Sequence, residues 1–175
     1  MNKYNNHTFV ICAYKESEYL EECIKSLMNQ TIKSNIIIST STPNDYINQL
    51  ADKYNIQVFI NNGKKGIGED WNFGVSQTKT DYVTIAHQDD IYNKNYLEEI
   101  VNKLNSKKDF SIAFTDYREI KNDEIIKLTK NLKIKKLLLF PLRFFRKSKF
   151  FRKRSLSFGA SICCPSVTLN TKVVR

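Results

Sequence analysis

Two spacings of apolar residues alternate along the chain. Thr8–Tyr14 is a nearly continuous apolar run (TFVICAY), as expected of a strand buried on both faces. From Ser17 to Gln30 the spacing becomes helical: Leu20, Cys23, Ile24, Leu27 and Met28 fall at i, i+3, i+4, i+7 and i+8. Ser17 is the expected N-cap, with Glu18 and Glu21 near the positive end of that helix. Asn35–Thr40 (NIIIST) predicts a second strand, and Asn44–Tyr54 a helix capped by Asn44 behind Pro43. Gln57–Asn62 predicts a third strand. A loop with Gly63, Gly66 and Gly68 follows, then a short helix over Glu69–Thr78. Tyr82–His87 (YVTIAH) predicts a fourth strand, Asn95–Leu104 a helix and Ser111–Thr115 a fifth strand. Asp123–Thr129 is read as the return strand of a hairpin.

Strands and helices in alternation, with continuous apolar strands, imply an α/β fold. Its central sheet is mainly parallel and covered by helices on both faces. Such sheets bind ligands at the carboxyl ends of their strands. Four segments stand there: Ala13–Glu16, Ser39–Thr42, Asn62–Gly68 and His87–Asp90.

Composition adds a division along the chain. Residues 1–132 hold sixteen basic and eighteen acidic side chains and are close to neutral. Ten basic residues then lie between Lys133 and Arg154, Lys172 and Arg175 follow, and no acid occurs after Glu124. The net charge of +10 therefore arises entirely in the last quarter. Leu137, Leu138, Leu139, Phe140, Leu142, Phe144, Phe145, Phe150 and Phe151 interleave with that charge. The expected arrangement is a segment that packs its apolar side on the sheet and is weakly attracted to an anionic membrane. No Gly-aromatic RNA-binding signature is found, so no nucleic-acid partner is expected. Residues 1–130 are read as one domain and 131–175 as a basic, apolar segment. Cys12, Cys23, Cys163 and Cys164 lack zinc-finger spacing and suit a reducing, cytoplasmic setting. Neither a signal-peptide core nor a bilayer-spanning apolar stretch is found.

The sharpest local feature is Ile85-Ala86-His87-Gln88-Asp89-Asp90-Ile91-Tyr92. Two acids directly after a buried strand repel each other unless a cation or donor groups offset them. Hard oxygen ligands suit Mg or Mn ions, which in turn hold phosphates. Equally, either acid can cap the following helix in a solvated turn. Zinc-dependent sugar deacetylases carry a similar Ala-His-Pro-Asp-Asp string. They need a further histidine downstream, and His7 and His87 are the only histidines here.

Four stretches, in order and spacing, resemble family-2 glycosyltransferases. Cys12-Ala13-Tyr14-Lys15-Glu16 matches the family's Pro-Thr-Tyr-Asn-Glu turn. Tyr19 to Thr31 matches its first helix, ending Ser-Leu-x-x-Gln-Thr. Gly66-Ile67-Gly68-Glu69-Asp70-Trp71-Asn72-Phe73-Gly74 matches Gly-Leu-Ser-x-Ala-Arg-Asn-x-Gly. Thr80–Asp90 matches Gly-Glu-Tyr-Ile-x-Phe-Leu-Asp-x-Asp-Asp. The match covers residues 8–104 and implies a GT-A (nucleotide-diphospho-sugar transferase) fold.

The resemblance also implies roles. The turn containing Ala13, Tyr14 and Glu16 passes under the base and ribose. Asp89 lies near the ribose and diphosphate, and Asp90, with Asp89, holds a divalent Mn or Mg. The loop around Gly66 approaches the base and diphosphate. The implied activity is inverting, metal-dependent transfer of a sugar from a nucleotide-diphospho-sugar, UDP-sugar favoured, to an acceptor hydroxyl. The acceptor would be a glycan or lipid-linked molecule in cell-surface polysaccharide synthesis. The protein is then expected in the cytoplasm, peripheral at the inner face of the membrane. The alternative is a non-catalytic nucleotide- or membrane-binding module derived from this fold.

Four departures qualify the match. Ser39-Thr40-Ser41-Thr42 replaces the family's Asp-Asp-Gly-Ser, which leaves hydroxyls such as that of Thr40 to meet the base. His87 replaces the first acid of Asp-x-Asp. Trp71 replaces the arginine of the third stretch, and is either a stacking platform or a core aromatic paired with Val75. Residues 125–175 contain no Asp, Glu or His, so the usual base is missing and Asp116 is its nearest substitute. Phe158–Val167 resembles the strand that precedes the acceptor region, and the chain reads as a truncated form of the family.

Overall fold

The computed structural model describes residues 3–106, 110–122, 124–145, 147–157 and 159–174. Asp123, Phe158 and Arg175, named above, and Arg146, one of the ten basic residues, lie outside the described residues. The chain forms two compact units, residues 1–115 together with 167–175, and residues 116–166.

The first unit is built on β1 (Lys3–Ala13), α1 (Leu20–Met28), β2 (Lys33–Thr40), α2 (Asp45–Tyr54), β3 (Gln57–Ile60), α3 (Ile67–Ser76), β4 (Tyr82–His87), α4 (Tyr96–Ser106) and β5 (Ile112–Phe114). The second unit holds a short ribbon, β6 (Ile120–Lys121) and β7 (Glu124–Ile125), then α5 (Lys130–Leu139), α6 (Leu142–Phe145) and α7 (Lys149–Ser157). The chain then returns to the first unit with β8 (Val167–Asn170) and α8 (Thr171–Val174).

The sheet order is β3-β2-β1-β4-β8-β5. β1 pairs in parallel with β2 and β4, Val10 standing opposite Ile37 on one side and Ile85 on the other. Phe9, Val10 and Ile11 are fully buried, as a central strand covered on both faces requires. Side chains alternate between those faces. Phe9, Ile11, Ile38 and Ala86 join Leu20, Ile24, Leu27, Ile47 and Leu97 in the main core, so α1, α2 and α4 cover that face. Val10 and Ser39 point the other way, toward α3. A Cβ on Gly74 of α3 would stand only 2.6 Å from Val10 Cγ1 and 3.1 Å from Ser39 Cβ. Gly74 is therefore what lets the helix lie this close to β1 and β2.

Several local expectations change. α1 begins at Leu20, its N-cap Tyr19 makes no side-chain cap, and Ser17 contributes only its carbonyl, 3.2 Å from Leu20 N. Ser17 is thus a turn residue and not the cap. Met28, expected on the apolar stripe, is exposed. Asn44 does cap α2, its side chain accepting from Ile47 N at 2.9 Å.

The sheet also gains a strand. The stretch expected around 158–167 instead contains a 3-10 turn, Cys164–Ser166, and the strand starts at Val167. β8 runs antiparallel between β4 and β5, Thr168 facing both Thr84 and Ala113. Its buried side chains are polar: Thr168 Oγ1 lies 2.7 Å from Thr84 Oγ1, and Asn170 donates to Phe110 O at 3.1 Å. A reading of apolar periodicity passes over such a strand.

In the second unit, Thr129 caps α5 and Pro141 separates α5 from α6. Leu132 is buried, but Ile134, Leu137, Phe140, Phe144, Phe145 and Phe150 are exposed. Leu138, Leu139, Leu142 and Phe151 are half-buried, so only part of the apolar side expected to be packed is covered.

Candidate functional site

The turns after β1, β2, β3 and β4 all leave the sheet at its carboxyl edge, and polar side chains tie them to one another. Ala13 ends β1 buried, while Tyr14, Lys15 and Glu16 are exposed. Lys15 adopts a left-handed backbone at φ 55°. Its N–H donates to Thr42 Oγ1 at 2.6 Å, joining the β1 turn to the β2 turn. Gln88 joins the β1 turn to the β4 turn with a reciprocal pair: Tyr14 N–H donates to Oε1 at 3.0 Å, and Nε2 donates to Tyr14 O at 2.9 Å. Thr40 is buried at the end of β2, where its Oγ1 accepts from Thr42 N and its carbonyl accepts from Asn61 N.

A second cluster binds the β2 and β3 ends to α3. Asp70 accepts from Ser41 Oγ at 2.9 Å through Oδ2 and from Asn61 Nδ2 at 2.7 Å through Oδ1. Asn61 in turn shapes the loop, accepting from Gly63 N and donating to Lys64 O. Gly66 precedes α3 at φ 137°, a conformation that favours glycine.

The β4 end carries the acids. Strand alternation turns His87 away from Ala86 and toward α3, where the Trp71 ring stacks on it at 5.3 Å and 25°. The main chain turns tightly behind it: the His87 carbonyl accepts from Asp90 N and from Cys23 Sγ, both at 3.3 Å. One ligand atom each from His87, Asp89 and Asp90 lie within 4.8 Å of one another. Burial, then the neighbouring Asp89, raises the Asp90 carboxyl above its usual range, and His87 opposes that rise. Burial and the same two acids push the Cys23 thiol up to about 12, so it stays protonated and donating.

α1 holds this loop from below. Ser26 Oγ accepts from Tyr92 N at 3.0 Å. Buried Gln30 accepts from Leu97 N and donates to Asn93 O. The Ser-Leu-x-x-Gln-Thr ending thus places Ser26 on α1 and Gln30 just past its end and uses both to fix the segment that carries Asp89 and Asp90.

Three atoms with hydrogen-bonding capacity and one aromatic plane now meet at the end of β4, in front of the β1 turn. The donor set of two carboxylates and an imidazole fits a divalent cation, His87 Nδ1 standing 3.7 Å from Asp90 Oδ2. The family model for glycosyl transferase family 2 matches residues 8–174. The chain belongs to that family. The match runs well past residue 104, through β8 and into α8.

Among curated relatives of the family, glycosyltransferase GlyG of Streptococcus pneumoniae is 27% identical over 62% of this chain and 38% of its own length. Abequosyltransferase RfbV of Salmonella typhimurium is 31% identical over 61% of this chain and 34% of its own. The chain therefore spans little more than a third of either relative. Among solved structures, glucosyl-3-phosphoglycerate synthase from Mycobacterium tuberculosis, in complex with Mn2+, UDP and phosphoglyceric acid, aligns at TM-score 0.65 and 15% identity. The alignment covers 95% of this chain and 56% of that one. The GT-A fold expected of the family is the fold of this chain.

The expected site residues are thus distributed as follows. Ala13, Tyr14, Glu16, Thr40, Gly66, Trp71, Asp89 and Asp90 all stand on the turns or on α3 at this edge. Asp116 belongs to the second unit, where it is exposed and ion-paired with Lys136 at 2.9 Å. Sequence reasoning gave no role to Gln88, Asp70, Asn61 or Ser26, whose partners come from other elements.

Proposed function

We propose that this chain carries the donor-binding half of a glycosyltransferase that takes a sugar from a nucleotide-diphospho-sugar, a UDP-sugar favoured, to an acceptor hydroxyl. The observation that carries the reading is the group of His87, Asp89 and Asp90 at the end of β4, facing the turn of Tyr14 and Glu16. Asp89 and Asp90 would hold Mn or Mg. Bound there, the ion would offset charge developing on the departing diphosphate. The chain's own residues do the positioning. Gln88 pins the Tyr14 peptide and Thr42 the Lys15 peptide, which keeps the surface under the base rigid. Ser39 and Thr40 are buried, and the half-buried Ser41 and Thr42 hydroxyls and Asp70 carboxylate are the polar groups of this stretch nearest a base edge. The solved relative with UDP and Mn2+ supports the choice of base and ion.

Inverting transfer to a cell-surface glycan or lipid-linked acceptor follows from the family resemblance. We assign no acid to acceptor activation: Asp116, the nearest substitute in the sequence, is an exposed residue of the second unit paired with Lys136. The second unit, basic and with exposed aromatic side chains, suits a peripheral position on an anionic, cytoplasmic membrane face. The same surface favours the second reading, a membrane-binding module without turnover, which vesicle binding without donor binding would support.

Calorimetric titration of UDP with and without Mn2+ tests the donor site. The expected result is Mn2+-dependent binding that Asp90→Ala removes. Equal binding by the variant would overturn the metal assignment, and binding of GDP, dTDP or CDP in place of UDP would overturn the choice of base.

A further inference from the structure

The two histidines of the chain differ in one respect that bears on the cation. Both ring nitrogens of His7 have hydroxyl partners, Ser34 Oγ at 2.8 Å and Thr84 Oγ1 at 2.9 Å. Among the described residues, neither ring nitrogen of His87 makes a hydrogen bond, and Nε2 is buried. One other buried side-chain polar atom shares that condition, Ser39 Oγ, and it lies under α3 against Gly74. His87 lies instead at the open end of β4. Nε2 is closed off from solvent, so Nδ1 is the ring nitrogen left to a ligand in a site where Gln88, Ser41, Asn61 and Asp70 are all engaged.

The ring is nevertheless held. Trp71 stacks on its face, and the His87 carbonyl is fixed by Cys23 and Asp90 N. Its Nδ1 edge is turned to Asp90, with Nδ1 and Oδ2 3.7 Å apart. That separation is too long for a hydrogen bond and short enough for one ion to touch both atoms. Stacking on the face leaves the in-plane lone pair of a ring nitrogen for a ligand.

We infer that His87 is a nitrogen ligand of the cation held by Asp89 and Asp90, and that it makes the site prefer Mn2+ and Co2+ to Mg2+ and Ca2+. The inference rests on the proposed donor site. Where the family carries a first aspartate, a site of oxygen ligands takes Mg2+ and Mn2+ alike, whereas an imidazole nitrogen adds affinity for transition-metal ions over Mg2+ and Ca2+. Trp71 then serves as a packing plate that orients the imidazole, and it is the only tryptophan in the chain.

That single tryptophan supplies a readout independent of turnover. Co2+ is titrated into the protein with saturating UDP while Trp71 fluorescence is followed, and Mn2+ and Mg2+ affinities are measured by calorimetry. The parent protein, His87→Asp, His87→Gln and Asp90→Ala are compared, with thermal unfolding to establish that each variant is folded. His87→Gln keeps the length and planarity of the side chain, and so stays usable where a smaller residue would let α3 shift. The expected results are saturable quenching by Co2+ in the parent and Mn2+ binding at least about tenfold tighter than Mg2+. In His87→Asp the two affinities draw together, and in His87→Gln Mn2+ binding weakens by about tenfold or more. Unchanged Mn2+ affinity and an unchanged Mn2+ to Mg2+ ratio in both His87 variants would overturn the inference. If Asp90→Ala still abolishes Mn2+ binding in that case, the donor-site cation stands without His87. If neither ion binds the parent protein with UDP, the cation reading and the role of His87 fall together.

Discussion

His7 and His87 sit on adjacent strands and show how burial divides one residue type between two tasks. His7 lies on the core face of β1, fully buried, and burial pulls its pKa down to about 3. It links Ser34 of β2 to Thr84 of β4, and Thr84 continues to Thr168 of β8 and Tyr96 of α4. The network crosses the sheet and works with a neutral ring. Between pH 6.5 and about 3 the unfolded chain binds a proton at His7 that the folded chain does not. Stability contributed here is therefore complete above pH 6.5 and falls as pH drops below it, by up to about 1.4 kcal/mol per pH unit. Glu21 has a pKa lowered to about 2, first by Lys53 and Tyr54, and it loses its contribution only in more acid solution. Urea denaturation between pH 7.5 and 5 should then show a slope that disappears in His7→Gln. Parallel pH profiles for the two proteins would contradict this account.

At the scale of elements, α3 is the member that joins scaffold and site. It carries Asp70 and Trp71 on one stretch and Gly74 one turn later. The close approach at Gly74 sets how near Trp71 comes to His87 and Asp70 to Ser41. Gly74→Ala should gain helix propensity of about 1 kcal/mol. The 2.6 Å approach to Val10 Cγ1 should outweigh it, since Val10 is fully buried in the central strand. The expected net loss is about 1–3 kcal/mol by chemical denaturation, with weaker Trp71 quenching by Co2+. A variant as stable as the parent would mean that the sheet yields and that α3 is not held by this contact.

For the molecule as a whole, charge and exposed apolar area fall together in the second unit. That unit has ten basic residues between 133 and 154 and no acid after Glu124, and it exposes Leu137, Phe140, Phe144 and Phe150. Coulombic attraction to an anionic bilayer is screened by salt, while burial of aromatic side chains is not. Cosedimentation with phosphatidylglycerol vesicles should be strong at about 0.1 M salt and reduced several-fold at about 0.5 M. Phe144→Ser with Phe150→Ser should weaken binding at both. Equal binding to neutral phosphatidylcholine vesicles would remove the role of charge, and binding to neither would remove the membrane from the proposal.

Much of this protein was determined by its sequence alone. Continuous apolar runs define β1, β2 and β4, because a strand covered on both faces admits a polar side chain only where a hydrogen-bond partner meets it, as at His7 and Thr84. Asn44 marks the start of α2 through its own side chain. Asp89 and Asp90 follow a buried strand, which puts them at the ligand edge of a parallel sheet. These are local patterns, legible in a few consecutive residues. Tertiary structure decided the rest. β8 is invisible to periodicity because Thr168 and Asn170 bury polar atoms against partners far along the chain. Ser17 looks like a cap, but the helix is entered two residues later, at Tyr19. Trp71 and His87 come together only because α3 packs on the face to which β4 directs His87. Gln88 becomes a clamp only when the β1 turn stands beside it. Such contacts depend on which elements become neighbours, and neighbourhood is a property of the packed sheet rather than of any segment in it.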